Sequence, residues 1–302
     1  MDGILPLWKQ RGMTSHDCVM KLRRILRTKK IGHTGTLDPE VEGVLPICIG
    51  EATKIVPYLT DTTKTYIATF RLGIETDTED RHGKILNEET IDDPPSESIV
   101  ETVLDSFKGD IWQRPPMYSA VKVDGKKLYE YARENKKVDR PLRKITVHDI
   151  TYLPDETNEP HSFSFKVVCG KGTYIRTLCV DIGKQLGYYA HMSFLERIKT
   201  GTFDKKHSVT ILQIEKAVKE NRLNALLFPI SSGISHLDRM DVDEDTRKRV
   251  LYGQKLTKPR RDFATDPFRV MYRDTLLAIY RTHPENSHII KPVRVFNQTS
   301  NG

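Results

Sequence analysis

The stretch Lys64-Thr-Tyr-Ile-Ala-Thr-Phe-Arg-Leu72 alternates apolar and polar residues. Alternation of period two puts Tyr66, Ala68, Phe70 and Leu72 on one face of a strand, so this chain needs a sheet with a covered face. The cover is supplied further on. Ile175, Leu178, Cys179, Ile182 and Leu186 recur at helical spacing and predict an amphipathic helix. Other segments fall into the same two classes. Residues 4–8, 44–49, 143–152, 161–169 and 190–203 read as strands, and Pro46 puts its strand near an edge or bulge. Residues 51–59, 97–107 and 208–219 read as helices. Ile99, Val100, Val103, Leu104 and Phe107 form the buried side of the second. Residues 74–96 are polar and read as a surface loop or hairpin. Strands and helices in this irregular order give an α+β class: a mixed, mostly antiparallel sheet with flanking helices.

The first helix is predicted from Asp17 to Lys30, with Ser15 as its N-cap and Gly32 ending it. It carries Lys21, Arg23, Arg24, Arg27, Lys29 and Lys30 against one Asp. That face either meets phosphate or is simply solvated. After Pro229 the pattern changes to short strands at 251–253, 259–261, 270–272, 276–280 and 292–296. They make a β-rich module of about 60 residues, marginal for independent folding, that should pack on the main body. The last few residues read as disordered.

The chain has 302 residues and a net charge of +7, which suits a polyanionic partner without demanding one. No apolar run has the length of a membrane span, and the N-terminus shows no signal peptide. Cys18, Cys48, Cys169 and Cys179 form no Cys-x-x-Cys pair, and neither they nor the ten histidines show zinc-ligand spacing. They read as reduced thiols of a cytoplasmic protein. Gly170-Lys171-Gly172 resembles a phosphate loop only at first sight, because Phe165 stands where such a loop has glycine. No metal or nucleotide cofactor is therefore expected.

Candidate chemistry concentrates in Gly32-His33-Thr34-Gly35-Thr36-Leu37-Asp38-Pro39. Two glycines open unusual backbone angles, and Pro39 biases Asp38 away from helix. Asp38 thus sits on a rigid irregular loop, a device for aiming a carboxylate but also a common surface turn. Lys171 and Arg176 fall at the start of the 175–186 helix, where the helix dipole repels cations, so an anion should offset them. Asp38 is a candidate for that anion. Tyr66 points inward with a hydroxyl that needs a partner, in a site or in the core. Residues 113–133 interleave basic and aromatic side chains, which suits unpaired RNA or an ordinary exposed loop and helix.

Four segments, in order, resemble one family. GHTGTLDPEVEGVLPICIGEATK (32–54), KTYIATFRLG (64–73), RPPMYSAVKVDGKKLYEYAR (114–133) and CGKGTYIRTLCVDIG (169–183) are similar to the bacterial TruB-type tRNA pseudouridine-55 synthases. The likeness runs from about residue 3 to about 205. It implies the pseudouridine synthase fold over residues 1–237, with an RNA-gripping insertion at about 110–142, and a PUA-like RNA-binding module at 238–302. It implies that Asp38 is the catalytic aspartate, with Arg176 as its partner and Tyr66 in the same centre. Tyr66, Tyr174 and Leu195 then contact uracil and ribose, His33 stacks on a base of the splayed loop, and Lys171 lies on the substrate side. The implied substrate is the T-arm stem-loop of tRNA, worked on by a cytoplasmic monomer with no obligatory protein partner, membrane or cofactor. The alternative is a non-catalytic tRNA-binding or folding protein on the same scaffold. A synthase of guide-RNA complexes is disfavoured by the lack of long Lys-rich tails.

Overall fold

The computed structural model describes residues 1–154 and 159–296. The last few residues, expected to be disordered, lie outside these. The first third forms β1 (Gly3–Lys9), α1 (Ser15–Ile25), β2 (Ile31–His33), β3 (Glu42–Ile49), a 3-10 turn (Gly50–Ile55) running into α2 (Val56–Thr60), and β4 (Lys64–Leu72). The N-cap of α1 is Thr14, not Ser15. Thr14 and Asp17 form a reciprocal capping box, which leaves the buried Ser15 hydroxyl free for another task. The helix also ends early, at Ile25, because Arg27 adopts a left-handed φ of 49°. Gly32 stops nothing; it lies within β2.

Pro46 is not at an edge, since β3 runs between β1 on one side and β2 and β12 (Ala190–Thr200) on the other. It pairs with Pro6. The N–H groups of Ile4 and Trp8, flanking Pro6 on β1, point away from β3, to Phe228 O and Val209 O. The two prolines therefore meet at a position where neither owes β1–β3 a donor. On the other side Pro46 falls in the gap between the pairing of β2, which reaches Ile47, and that of β12, which covers Glu42 and Gly43.

Residues 74–96 do form a hairpin, β5 (Ile74–Thr76) with β6 (Ile85–Glu88), but its turn is no surface loop. It folds back so that Asp80 bridges Met192. Next come α3 (Glu97–Ser106), β7 (Gly109–Gln113), the small hairpin β8 (Lys122–Val123) and β9 (Lys126–Lys127), and α4 (Leu128–Arg133). Val100 and Leu104 of α3 are buried, whereas Ile99 sits at the solvent edge of the stripe, 52% exposed. Then follow β10 (Arg143–Leu153), β11 (Ser162–Cys169), α5 (Ile175–Leu186), β12, β13 (Phe203–Asp204) and α6 (Ile211–Lys219).

The main sheet has the order β1-β3-β12-β4-β11-β10-β7, with β2 added on β3 and β13 on β12. Only β12 and β3 run parallel in it, as the α+β expectation requires. One core cluster joins Phe70 and Ala68 of β4 to Leu178, Cys179 and Ile182 of α5 and to Val19 and Leu22 of α1. Each fully buried aliphatic side chain contributes about 1.5–3 kcal/mol. The four cysteines are buried as free thiols.

The C-terminal part contains β14 (Arg239–Asp241), α7 (Glu244–Leu251), β15 (Leu256–Thr257), β16 (Phe268–Tyr272), β17 (Thr275–His283) and β18 (Asn286–Val295). Its five strands form a second sheet, β14-β16-β17-β18-β15. Residues 251–253, expected as strand, are instead the end of α7 and the turn after it. Asp243 caps α7, with acids in its first turn and bases in its last. That charge order, not apolar periodicity, makes the helix, which buries only Val250. Residues 259–261 bend rather than pair. The sheet packs on the main body through Met271, Leu276, Ile279 and Phe296, which share a cluster with Ile4, Val44 and Cys48.

Candidate active site

The Asp38 loop is pinned on both flanks. Ser15 Oγ accepts from Leu37 N at 2.9 Å and donates to Leu37 O at 3.2 Å. Lys9 Nζ and Gly12 N both donate to Pro39 O, at 2.9 and 3.0 Å. Gly35 has φ of +85°, which a side chain would resist. The carboxylate between these anchors is thus placed by backbone, as the sequence suggests.

Arg176 meets it. Its Nε lies 3.0 Å from Asp38 Oδ2; the arginine side chain is 6% exposed and the aspartate side chain 43%. Two backbone carbonyls hold the rest of the guanidinium: Nη1 donates to Thr78 O and Nη2 to Tyr118 O, each at 2.9 Å. The planar fork therefore ties together the Asp38 loop, the turn between β5 and β6, and the 110–142 insertion. Lys171 does not share this anion. Its ammonium pairs with Asp61 at 2.6 Å, on the exposed side of the glycine loop.

Two cavities flank the pair. One, of about 450 Å³, is lined by Asp38, Tyr66, Tyr174, Arg176, Leu195 and Lys171, among others. It brings together six of the seven residues singled out in the sequence. The other, of about 600 Å³, shares Asp38, Arg176 and Leu195 and adds Arg11, Asp80 and His82. His33 lines neither. It stands on β2 beside the loop, with Nδ1 buried and without a partner among the described residues, and burial pushes its imidazole below its ordinary pKa.

The strand register explains the first cavity's wall. Ala68 pairs with Leu195 and Tyr66 with Arg197, so all four face the same side. Bulges between Met192 and Phe194, and between Arg197 and Lys199, bracket this short segment of β12. Arg197 is almost fully buried. It donates to Val44 O at 2.8 Å and to Gly35 O at 3.1 Å, and so fastens the Asp38 loop to β3 from behind. Gly43 lets β12 approach this closely, because a Cβ there would lie 2.2 Å from Arg197 O. The Tyr66 phenol is pushed above its ordinary pKa by burial, and so is that of Tyr174. Both are neutral hydroxyls at pH 7. Gln113 bonds both backbone groups of Tyr174, accepting from N at 2.7 Å and donating to O at 2.9 Å.

Arg197, Tyr118, Thr78, Gln113 and Lys64 did not emerge from sequence reasoning. Two of them left a signal. Lys64 has the parity of Tyr66, and Arg197 that of Leu195, so each is a charge on a face meant for burial. Burial pushes the Lys64 ammonium down to about 8, with Arg197 adding to the effect. The lysine donates to Thr60 O and Thr62 O.

Residues 23–175 match the model of the TruB family pseudouridylate synthase (N terminal domain), and residues 176–235 that of the tRNA pseudouridylate synthase B C-terminal domain. The chain belongs to the TruB family of pseudouridylate synthases. It is 58% identical over 298 residues to the tRNA pseudouridine synthase B of Oceanobacillus iheyensis, covering 98% of each chain. It is 49% identical over 304 residues to that of Staphylococcus haemolyticus, covering 98% of this chain and 99% of the other. Among solved structures it resembles a chain of a Cbf5-Nop10-Gar1 complex, with a TM-score of 0.74 and 29% identity over 98% of this chain and 84% of that one. It also resembles a chain of an H/ACA RNP bound to a substrate RNA containing 2'-deoxyuridine, with a TM-score of 0.74, 25% identity, and coverage of 98% and 85%. Both carry the TruB-like fold seen here, its helices flanking a mixed sheet and a β-rich module following. Among the described residues, no helix is long and apolar enough to cross a membrane.

Proposed function

We propose that this chain isomerises uridine 55 in the T-loop of tRNA to pseudouridine. The reaction breaks the N1–C1′ bond, turns the base and rejoins it through C5. No electrons are exchanged and no group leaves, so its balance calls for no redox partner. The observation that carries the reading is the Asp38–Arg176 ion pair at the meeting of two cavities, one walled by Tyr66 and Tyr174. In this reading Asp38 attacks C1′ or removes the C2′ proton, and Arg176 orients the carboxylate through their ion pair. Tyr66 stacks on the uracil and keeps its hydroxyl for a proton or a water. Tyr174 and Leu195 close on base and ribose, and Lys171 meets the phosphate side. The base must leave its loop to enter, at a cost of a few kcal/mol. His33, neutral and beside the Asp38 loop, offsets part of that cost by stacking on a loop base.

The relatives' shared name, tRNA pseudouridine synthase B, supports tRNA as substrate. Near-complete coverage at 58% identity also favours these tRNA enzymes over the Cbf5-Nop10-Gar1 and H/ACA RNP complexes, at 29% or less. The division into a catalytic part, 1–237, and an RNA-binding module, 238–302, belongs to the same reading. So does action as a cytoplasmic monomer on the T-arm. The test is direct: incubate the purified protein with an unmodified tRNA transcript and map pseudouridine. One pseudouridine at position 55 is expected. Tight binding without modification would favour the non-catalytic folding protein instead.

A further inference from the structure

Glu79 is a buried-side carboxylate that the mechanism above does not use. It lies in the turn between β5 and β6 with a φ of 64°, a left-handed conformation that Gly, Asn or Asp adopts more readily than Glu. Its backbone is held there by two bonds. Glu79 N donates to Thr76 O at 3.2 Å, and Met192 N donates to Glu79 O at 3.0 Å. Its side chain faces inward. Thr177 Oγ1 donates to Glu79 Oε2 at 2.5 Å, and Arg140 Nη1 lies 3.8 Å from Oε1. Arg140 belongs to the insertion and also donates to Pro115 O at 3.0 Å, across that insertion's neck.

These contacts surround Arg176, whose charge also acts on the Glu79 carboxylate, ahead of that of Arg140. Thr177 follows Arg176 on α5. Thr78, which precedes Glu79, and Tyr118, three residues beyond Pro115, supply the two carbonyls that grip its guanidinium. We infer that Glu79 is a positioning residue, which seats the 110–142 insertion on α5 through Arg140 and thereby fixes the fork of Arg176 against Asp38. The inference rests on the enzymatic reading given above for its kinetic consequence. Its structural half stands alone. A carboxylate at a strained backbone position, spent on a threonine hydroxyl and an arginine of the insertion, links the insertion to the catalytic pair before any RNA is bound.

The experiment uses the full chain with Glu79→Gln, Arg140→Gln and the double variant. Glutamine keeps an acceptor for Thr177 and removes the charge that faces Arg140. Single-turnover rate at saturating tRNA should fall about ten-fold or more in each single variant, as misplacement of a reacting group does. Affinity should stay within about three-fold, less than 1 kcal/mol of binding. The double variant should be no slower than Glu79→Gln alone, because Arg140 acts through Glu79. Glu79→Asp should relieve the backbone yet slow the reaction, an outcome opposite to that of a merely structural turn. Hydrogen exchange without RNA gives an independent readout: the Tyr129 amide, bonded to Ser119 O, should exchange faster in Glu79→Gln. Unchanged exchange overturns the inference whatever the activity. An unchanged rate at saturation, a change confined to affinity, or additive effects in the double variant would overturn it too. Wild-type protein that makes no pseudouridine would instead refute the enzymatic reading and leave the exchange result standing.

Discussion

Arg176 Nε sits 3.0 Å from Asp38 Oδ2, and the arginine is the buried partner of the two. The pair is built from the arginine outward. Two main-chain carbonyls fix the guanidinium, and the carboxylate, on its own pinned loop, comes to meet it. A lysine has three donors on a point charge and cannot reproduce three contacts in one plane.

Arg176→Lys should therefore bind tRNA almost normally but turn it over about a hundred-fold or more slowly, the scale of a lost charge-stabilising contact. Single-turnover kinetics at saturating tRNA is the measurement, so that product release does not mask chemistry. A variant within a factor of about three of wild type would mean that Arg176 only braces the loops.

Lys64 offers a pH test. Its folded pKa is about 8, below the ordinary 10.5, so between those values the unfolded chain binds the extra proton. Stability contributed by this group therefore rises with pH, starting near 8. Between pH 7 and 9 wild type should gain about 1 kcal/mol relative to Lys64→Met. Urea unfolding of both proteins at the two pH values checks it. Parallel changes would show that the ammonium is not desolvated.

The basic face of α1 gives a third prediction. Arg23 is half-buried, with its Nη2 donating to Ile31 O at 3.2 Å. Arg24, Arg27 and Lys29 are exposed. Neutralising these three together should flatten the slope of log affinity against log salt by about two units, at 0.7–0.9 per phosphate contact. An unchanged slope would assign that face to solvent.

Sequence patterns reached the parts of this fold that are local. The period of residues 64–72 named the covered face of β4, and the apolar spacing of 175–186 named the helix that covers it. The dipole argument at the start of α5 also found Asp38 for Arg176, although Lys171 proved to have its own partner in Asp61. What stayed hidden depends on contacts far apart in the chain. The turn at 77–83 looks like solvent-exposed loop because its residues are polar; it is drawn in by a bridge from Asp80 to Met192 and by the Arg176 bond to Thr78 O. Thr14 and Ser15 are equally good caps in sequence. Only the position of Leu37 decides that Ser15 serves the Asp38 loop instead.

In the proposed reaction one carboxylate, that of Asp38, does the chemistry. Asp38→Asn keeps the shape of the side chain and removes its charge, and the loop anchors at Leu37 and Pro39 do not involve the side chain. Pseudouridine formation at position 55 of an unmodified tRNA transcript should drop below about 1% of the wild-type single-turnover rate, with affinity changed no more than about three-fold. An Asp38→Asn protein that retains more than about a tenth of that rate would contradict the account.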